Sequence, residues 1–398
     1  MTSSLSYIAR IRAWMTTGLP EGGAGGGQSP RTDLQDPKGP PAPPVLLQSR
    51  VLFAVANADP FSQKEKTTMT TRLSRWLGWF RFSLLFVGLV IGIAPAAAQR
   101  MLTIESHDLP AYTDLYAGPL DTHKKVTLRG ELHLPPSVAG KVPAVVILHA
   151  SLGITASERG FAEAMVKVGI AALLLDWFGG RGVINTQQDQ SQVSFPSSAA
   201  DIFAAVKALA ALPEIDAARI GILGFSRGGT SQVMANSETL AARWLGPTQR
   251  IAAFALYYGG CNRYQTPLRP VAAPILILSG EKDDLTTAEA CEIYARDLAA
   301  AGRPAEIHVL AGAAHAFDRV IGTRLGTDAN SANCPFRMQE DGVLELPDGS
   351  KINDAQGLQA YARRCVTRGV TLGGSAKVRD EARAILLRFM TAALKPGT

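Results

Sequence analysis

Histidine and cysteine are scarce in this chain, six and four among 398 residues. The cysteines form no C-x-x-C pair and no H-E-x-x-H occurs, so the usual zinc and redox spacings are missing and no metal or other cofactor is expected. The glycine run at 22–27, GGAGGG, follows no β-type run and does not read as a phosphate-cradling loop. The acid pairs that glycoside hydrolysis needs are not evident, and neither an internal repeat nor a propeller period is visible. The apolar stretch from Phe82 to Ile93 is shorter than the roughly 20 residues that span a bilayer. An excess of one charge is missing too. Residues 1–98 hold ten of the 40 Lys/Arg and five of the 34 Asp/Glu, so without them the net charge falls from +6 to +1 and gives no argument for nucleic acid.

What is present divides unevenly. Residues 19–44, LPEGGAGGGQSPRTDLQDPKGPPAPP, are Gly/Pro-rich without an apolar period and cannot bury enough surface to offset chain entropy. Residues 1–68 are expected to be disordered or a non-native upstream extension. Met69 then opens signal-peptide grammar: Arg72, Arg75 and Arg81, the apolar stretch, and Ala96, Ala97 and Ala98. Cleavage before Gln99 would leave a periplasmic or secreted domain over 99–398, without a stable membrane span and long enough for one large α/β core.

From Lys125 on, β-type runs alternate with helical patterns. VTLRGELHL (126–134), AVVILHA (144–150), IAALLLD (170–176), IAAFALYY (251–258), APILILSG (273–280) and EIHVLAG (306–312) read as strands, with another directly before Ser226. Helical patterns fall near 157–168, over 197–212, and at the end, where Val378, Ala382, Ile385, Leu386 and Phe389 share a face. Near-continuous apolar runs fit parallel strands covered on both faces. The expected fold is a mainly parallel, doubly wound sheet flanked by helices, with its sites beyond the carboxyl ends of the strands.

One strand runs into GFSRGG, a G-x-S-x-G pattern of Gly224, Ser226 and Gly228. A serine on a sharp strand-to-helix turn is held out from the sheet, and glycines two positions either side let strand and helix approach. Two partners also follow strands: Asp283 in GEKDD and His315 in GAAHAFD. The chain order serine, acid, histidine is that of an α/β-hydrolase triad. Asp283 is preferred to Asp284 for its G-x-x-D spacing from Gly280. Backbone donors for an oxyanion are expected at Arg227, just after the serine, and at Ser151 in the H-x-x-x-G turn of His149 to Gly153.

In that order, HASLG, LLLDWFGGRG, GFSRGG, GEKDD and GAAHAFD resemble the dienelactone hydrolase family of the α/β-hydrolase superfamily. The resemblance covers roughly residues 120–320 plus the last helix. It implies a cofactor-free hydrolase whose electrophile is the carbonyl of a small-molecule ester or lactone. Two positions depart: the family's cysteine nucleophile and activating glutamate are matched here by Ser226 and Ala150, which points to a serine esterase of the wider family. Leu152, Trp177, Phe178 and Arg181 are candidate pocket residues. The aromatics among them, like Tyr257 and Tyr258, read equally well as core. Between His315 and the last helix lies an insertion at about 319–372, with a hairpin expected around Pro347–Gly349, which would cover the site or decorate an edge.

Four cysteines allow three pairings. Cys261 follows one strand and Cys291 lies in the helix pattern after the neighbouring strand, while Cys334 and Cys365 bracket the insertion, so those two pairs are favoured in an oxidising compartment. The functional expectation is a serine hydrolase working through an acyl-enzyme. A serine peptidase or amidase of the same fold, or a non-catalytic periplasmic binding protein, would carry much of the same pattern.

Overall fold

The computed structural model describes residues 99–136 and 140–395. The extension expected over 1–68 and the export signal over 69–98 lie outside the described residues. The strands in chain order are β1 (Gln99–His107), β2 (Lys125–His133), β3 (Val142–Leu148), β4 (Ala171–Asp176), β5 (Ile215–Phe225), β6 (Ala253–Tyr257), β7 (Arg263–Gln265), β8 (Ile275–Gly280) and β9 (Glu306–Leu310). The helices are α1 (Tyr112–Tyr116), α2 (Ala156–Lys167), α3 (Phe195–Ala210), α4 (Arg227–Ala235), α5 (Glu238–Leu245), α6 (Ala288–Ala300), α7 (Ala355–Cys365) and α8 (Ala376–Leu394).

All of these strands but β7 form one sheet in the order β1-β2-β4-β3-β5-β6-β8-β9. β2 runs antiparallel to β1 and β4, and every other pairing in the sheet is parallel. This is the α/β-hydrolase arrangement, with β5 in mid-sheet between β3 and β6. The central strands are largely apolar where they pair in mid-sheet, as β5 is from Ile220 to Phe225, because their alternate residues feed two cores. Val146, Ile222, Phe254 and Ile277 face the layer of α3, α5 and α6, whereas Val145, Leu223, Ala255 and Leu278 face α2 and α8. β2, by contrast, alternates exposed and buried positions, as expected of a strand near the edge. Helix starts are marked in the sequence. Thr155 and Glu158 form a capping box on α2, and Ser194 caps α3 ahead of Pro196.

The insertion contains β10 (Arg324–Asn330), β11 (Phe336–Met338), β12 (Leu344–Glu345), β13 (Lys351–Ile352), α7 and β14 (Thr367–Leu372). β12 and β13 form the hairpin around Pro347–Gly349. β11 pairs in parallel with β7 of the body, so the segment is sewn into the domain by a shared small sheet, and β10 pairs with β14. Disulfides join Cys261 to Cys291 and Cys334 to Cys365. No helix among the described residues is long and apolar enough to cross a membrane.

Because the Cys334–Cys365 bridge spans 31 residues, losing it frees a large loop in the unfolded chain. Replacing both cysteines by serine is expected to lower the unfolding free energy by about 3 kcal/mol. Urea titrations of the two proteins under non-reducing conditions, compared at equal slope, measure the difference.

Candidate active site

Ser226 sits at the turn between β5 and α4 with φ 50° and ψ −110°, a backbone conformation that costs energy and persists only where its surroundings enforce it. They do so by close approach. A Cβ on Gly224 would lie 2.5 Å from the backbone of Gly228, and one on Gly228 would lie 2.4 Å from the Leu148 carbonyl oxygen. The Ser226 amide donates to Tyr257 O at 2.9 Å, tying the turn to the end of β6.

Two neighbouring strand ends bring the partners. Ser226 Oγ lies 2.8 Å from His315 Nε2, and His315 Nδ1 lies 2.8 Å from Asp283 Oδ2. An ionised carboxylate only accepts, so the histidine proton resides on Nδ1 and the Nε2 lone pair faces the serine. Asp283 also accepts from the amides of Leu285 (3.0 Å) and Thr286 (2.8 Å). Thr286 Oγ1, which the sequence did not single out, lies 2.7 Å from Asp283 Oδ2, 3.1 Å from His315 Nδ1 and 2.9 Å from Tyr258 O. Asp284 points elsewhere: its carboxylate accepts from Thr371 N (2.8 Å) and Thr371 Oγ1 (2.6 Å) on β14. Tyr258 packs its ring edge on His315, 5.0 Å between centroids, and donates its hydroxyl to Asp318. Tyr257 donates to Ala382 O. Both tyrosines are core.

Ser226, Ser151 and Arg227 line one small cavity of about 40 Å³. Arg227 is the first residue of α4, where an amide has no acceptor within the helix. Its side chain turns away into the core and donates to Gln190 O, Gln190 Oε1, Val193 O and Ser198 Oγ. Gln190 Nε2 in turn donates to Ser151 Oγ at 2.8 Å. Burial pushes the Arg227 guanidinium down to about 9. It also pushes the His149 imidazole down to about 4, so His149 stays neutral and is only a weak proton acceptor.

The pocket candidates need correction. Trp177 and Phe178 are fully buried and pack edge-on against His149. Arg181 is consumed by an ion-pair network. Nε donates to Asp108 Oδ1 (2.6 Å), Nη1 to Asp201 Oδ2 (2.8 Å) and Trp177 O (2.7 Å), and Nη2 to Asp201 Oδ1 (3.1 Å) and His107 O (3.4 Å). All five N–H groups are used, so none remains for a ligand. Leu152 is half-buried in the turn after β3 and lines neither cavity beside Ser226. The walls come instead from Gln190, Phe195, Asn262, Arg263 and Ser331, which no local motif marks. A second cavity of about 520 Å³ adjoins the first, sharing Gln190, Phe195, Arg263, Ala329 and Ser331 with it.

Residues 128–334 match the model of the Dienelactone hydrolase family. A probable 2-oxo-3-(5-oxofuran-2-ylidene)propanoate lactonase from Bradyrhizobium sp is 30% identical over 198 residues, 46% of this chain and 76% of that protein. An uncharacterised protein of Mycobacterium tuberculosis (strain ATCC 25618 / H37Rv) is 28% identical over 240 residues, 56% of this chain and 78% of that one. Among solved structures, a dienelactone hydrolase-like promiscuous phosphotriesterase from metagenomic libraries aligns with TM-score 0.44 at 14% identity, covering 74% of this chain and 99% of that chain. A putative dienelactone hydrolase from Klebsiella pneumoniae aligns with TM-score 0.40 at 20% identity, covering 55% and 89%.

The Arg181 network separates a structural role from a substrate-binding one. Arg181→Met leaves the buried Asp201 carboxylate without its main partner, and the expected cost is about 3–5 kcal/mol of stability, with KM of the remaining folded protein unmoved. Burial already raises the Asp201 carboxyl above its usual range despite Arg181, and without the guanidinium it rises further. The loss is therefore full above that folded-state value and shrinks as pH falls through it, because the protonated acid is easier to bury. Denaturant unfolding at several pH values checks the sign, and a raised KM would restore Arg181 to the pocket.

Proposed function

The chain belongs to the dienelactone hydrolase family, and we propose that within it this protein is a serine hydrolase that cleaves an ester or lactone through an acyl-enzyme. The observation that carries the reading is the unbroken relay of Ser226 Oγ, His315 and Asp283, with both links at 2.8 Å, on a turn whose backbone is held at positive φ. Ser226 Oγ attacks the substrate carbonyl carbon as its proton passes to His315 Nε2. Asp283, buried and hydrogen-bonded, stabilises the resulting imidazolium and holds its orientation. The developing oxyanion is met by the amide of Arg227 and by Ser151, which border the same cavity. His315 returns its proton to the leaving alkoxide, the C–O bond breaks, and an ester of Ser226 remains. Water then attacks that ester with His315 as base, releasing the acid and restoring Ser226. The lactonase named among the relatives supports a cyclic ester as one form of substrate.

Export completes the proposal. Two disulfides close loops in the domain, which suits an oxidising compartment, and the arginine-led apolar stretch ahead of Gln99 supplies the means. The domain would work in the periplasm or outside the cell.

Ser226→Ala, His315→Ala and Asp283→Asn are each expected to lower kcat on a phenyl ester about a thousandfold or more without unfolding the protein, and their effects should not add. An organophosphonate should label Ser226 and no other serine, as read by peptide mass mapping. Retained turnover in Ser226→Ala would remove the mechanism. A normal Asp283→Asn beside a dead Asp284→Asn would move the acid by one residue.

A further inference from the structure

The cavity at Ser226 and the one adjoining it differ in scale. The one of about 40 Å³ has room for the reacting carbonyl and little else. The one of about 520 Å³ is in the size range of sites for whole ligands, roughly 300–1,000 Å³. Much of its wall comes from the insertion, including Phe336 on β11 and Leu358 and Tyr361 on α7, and Phe195 and Tyr112 line it too, the Tyr112 ring packing edge-on against Phe336 at 5.3 Å. Four of the lining side chains are therefore aromatic.

At the neck shared by both cavities stands Arg263, only 8% exposed. Its Nε donates to Cys334 O and its Nη2 to Ser331 O, both at 3.2 Å. Its guanidinium lies 5.8 Å from the Phe195 ring centre and 5.3 Å from that of Phe336. Among the described residues no carboxylate contacts it. Arg227 lies 4.5 Å from the same Phe195 ring and donates only to neutral oxygens. Nearby acids are already engaged: Asp201 holds Arg181 and Ser106, and Asp189 accepts from Ser191. Two buried cations thus share a ring with no carboxylate hydrogen-bonded to either among the described residues. A buried charge without one is expensive, and a neutral amide could serve the carbonyls of Ser331 and Cys334, so fastening the insertion does not account for the charge. At the wide end the exposed Arg363 and Arg368 stand against one lining acid, Asp189, so the approach is also cationic.

The geometry points to a subsite for an aryl carboxylate. The substrate is an ester or lactone bearing a carboxylate that pairs with Arg263 at the neck, while its ring-sized body lies against Phe195, Phe336 and Tyr361. The position of the scissile bond rests on the hydrolase reading above; the binding of the anion does not.

Two matched substrate pairs test it, one for each side of the scissile bond: 4-carboxyphenyl butyrate against 4-carbamoylphenyl butyrate, and monophenyl glutarate against phenyl 4-carbamoylbutanoate. The wild-type protein should favour the carboxylate in at least one pair, and Arg263→Gln should lower that kcat/KM ratio about tenfold to a hundredfold, as expected for a charged hydrogen bond. Comparing ratios between proteins cancels the intrinsic reactivity of each ester and any general loss of folded protein. Arg263→Lys should keep part of the preference. Binding is read separately by calorimetry on Ser226→Ala with 4-hydroxybenzoate and 4-hydroxybenzamide. The benzoate should bind more tightly, and the added change Arg263→Gln should abolish the difference. Leu358→Trp, which narrows the wide cavity without touching the arginine, should weaken benzoate binding at least tenfold and keeps the test open if Arg263→Gln fails to fold. Ratios and affinities indifferent to Arg263, or benzoate binding indifferent to Leu358→Trp, overturn the subsite while ester turnover and labelling of Ser226 still stand. Arg263-dependent benzoate binding in a protein that hydrolyses no ester and takes no phosphonate overturns the hydrolase reading and leaves the subsite.

Discussion

At the carboxyl ends of β3, β5 and β6, backbone lies against backbone with no room for a side chain between. A Cβ on Gly229 would fall 2.7 Å from Gly259 Cα, and the added carbons on Gly224 and Gly228 meet main-chain atoms at 2.5 Å and 2.4 Å. These contacts draw the first turn of α4 down between its two neighbouring strands. The chain entering that turn from β5 then has one way through, with Ser226 at positive φ and its hydroxyl lifted off the sheet. The open amides of α4 come to border the same small space. From this crossing the rest of the site is set by strand order, because β8 and β9 follow β6 across the sheet and deliver Asp283 and His315 from the same edge.

The insertion belongs to this arrangement more closely than a lid would. His315 N donates to Thr371 O at 3.0 Å, and Gly373 N donates back to His315 O at 2.7 Å. Asp284 holds Thr371 by both its amide and its hydroxyl, and Asn330 on β10 donates to Asp284 O. Adjacent carboxylates therefore divide two tasks: Asp283 orients the imidazole, and Asp284 anchors the strand that braces the histidine's own backbone. A segment fixed to His315 on one side and to β7 on the other holds a cavity wall in register with Ser226, as precise positioning of a ligand requires.

The parts legible in the sequence were those whose cause is local. Parallel strands buried on both faces must be apolar at every position, so 144–150 and 273–280 stood out. The serine turn needs its glycines, and partners at strand ends need only chain order. The hairpin at Pro347–Gly349 announced itself by its turn residues. β1 did not stand out: QRMLTIESH pairs antiparallel at the sheet edge with mostly exposed positions, so no continuous apolar run marks it. The pocket is not legible locally, for a different reason. Trp177, Phe178 and Arg181 do follow a strand, but whether such residues face a cavity or the core depends on partners far away in sequence. Asp108 and Asp201 bind Arg181 across 73 and 20 positions, and the larger cavity is lined by residues near 112, 190, 263, 336 and 361.

Arg227 shows how one position can serve two walls. Its backbone opens α4, while its side chain reaches the loop ahead of α3 and binds Gln190 and Val193 there. A guanidinium only donates, so the Gln190 side chain must turn its oxygen toward Arg227, at 2.7 Å, and its amide nitrogen toward Ser151 Oγ. The serine hydroxyl then accepts, and its own proton is left to point elsewhere, beside the cavity it shares with Ser226. The polarity of the wall opposite α4 is thereby fixed by a cation that never enters the cavity chemistry. Neutralising Arg227 by a buried carboxylate would weaken that hold on Gln190, which gives a physical reason for its partners being carbonyls, an amide oxygen and a hydroxyl. The same scarcity of bonded carboxylates extends across Phe195 to Arg263, while beyond β8 and β9 the buried Asp283 carboxylate is turned to His315 Nδ1.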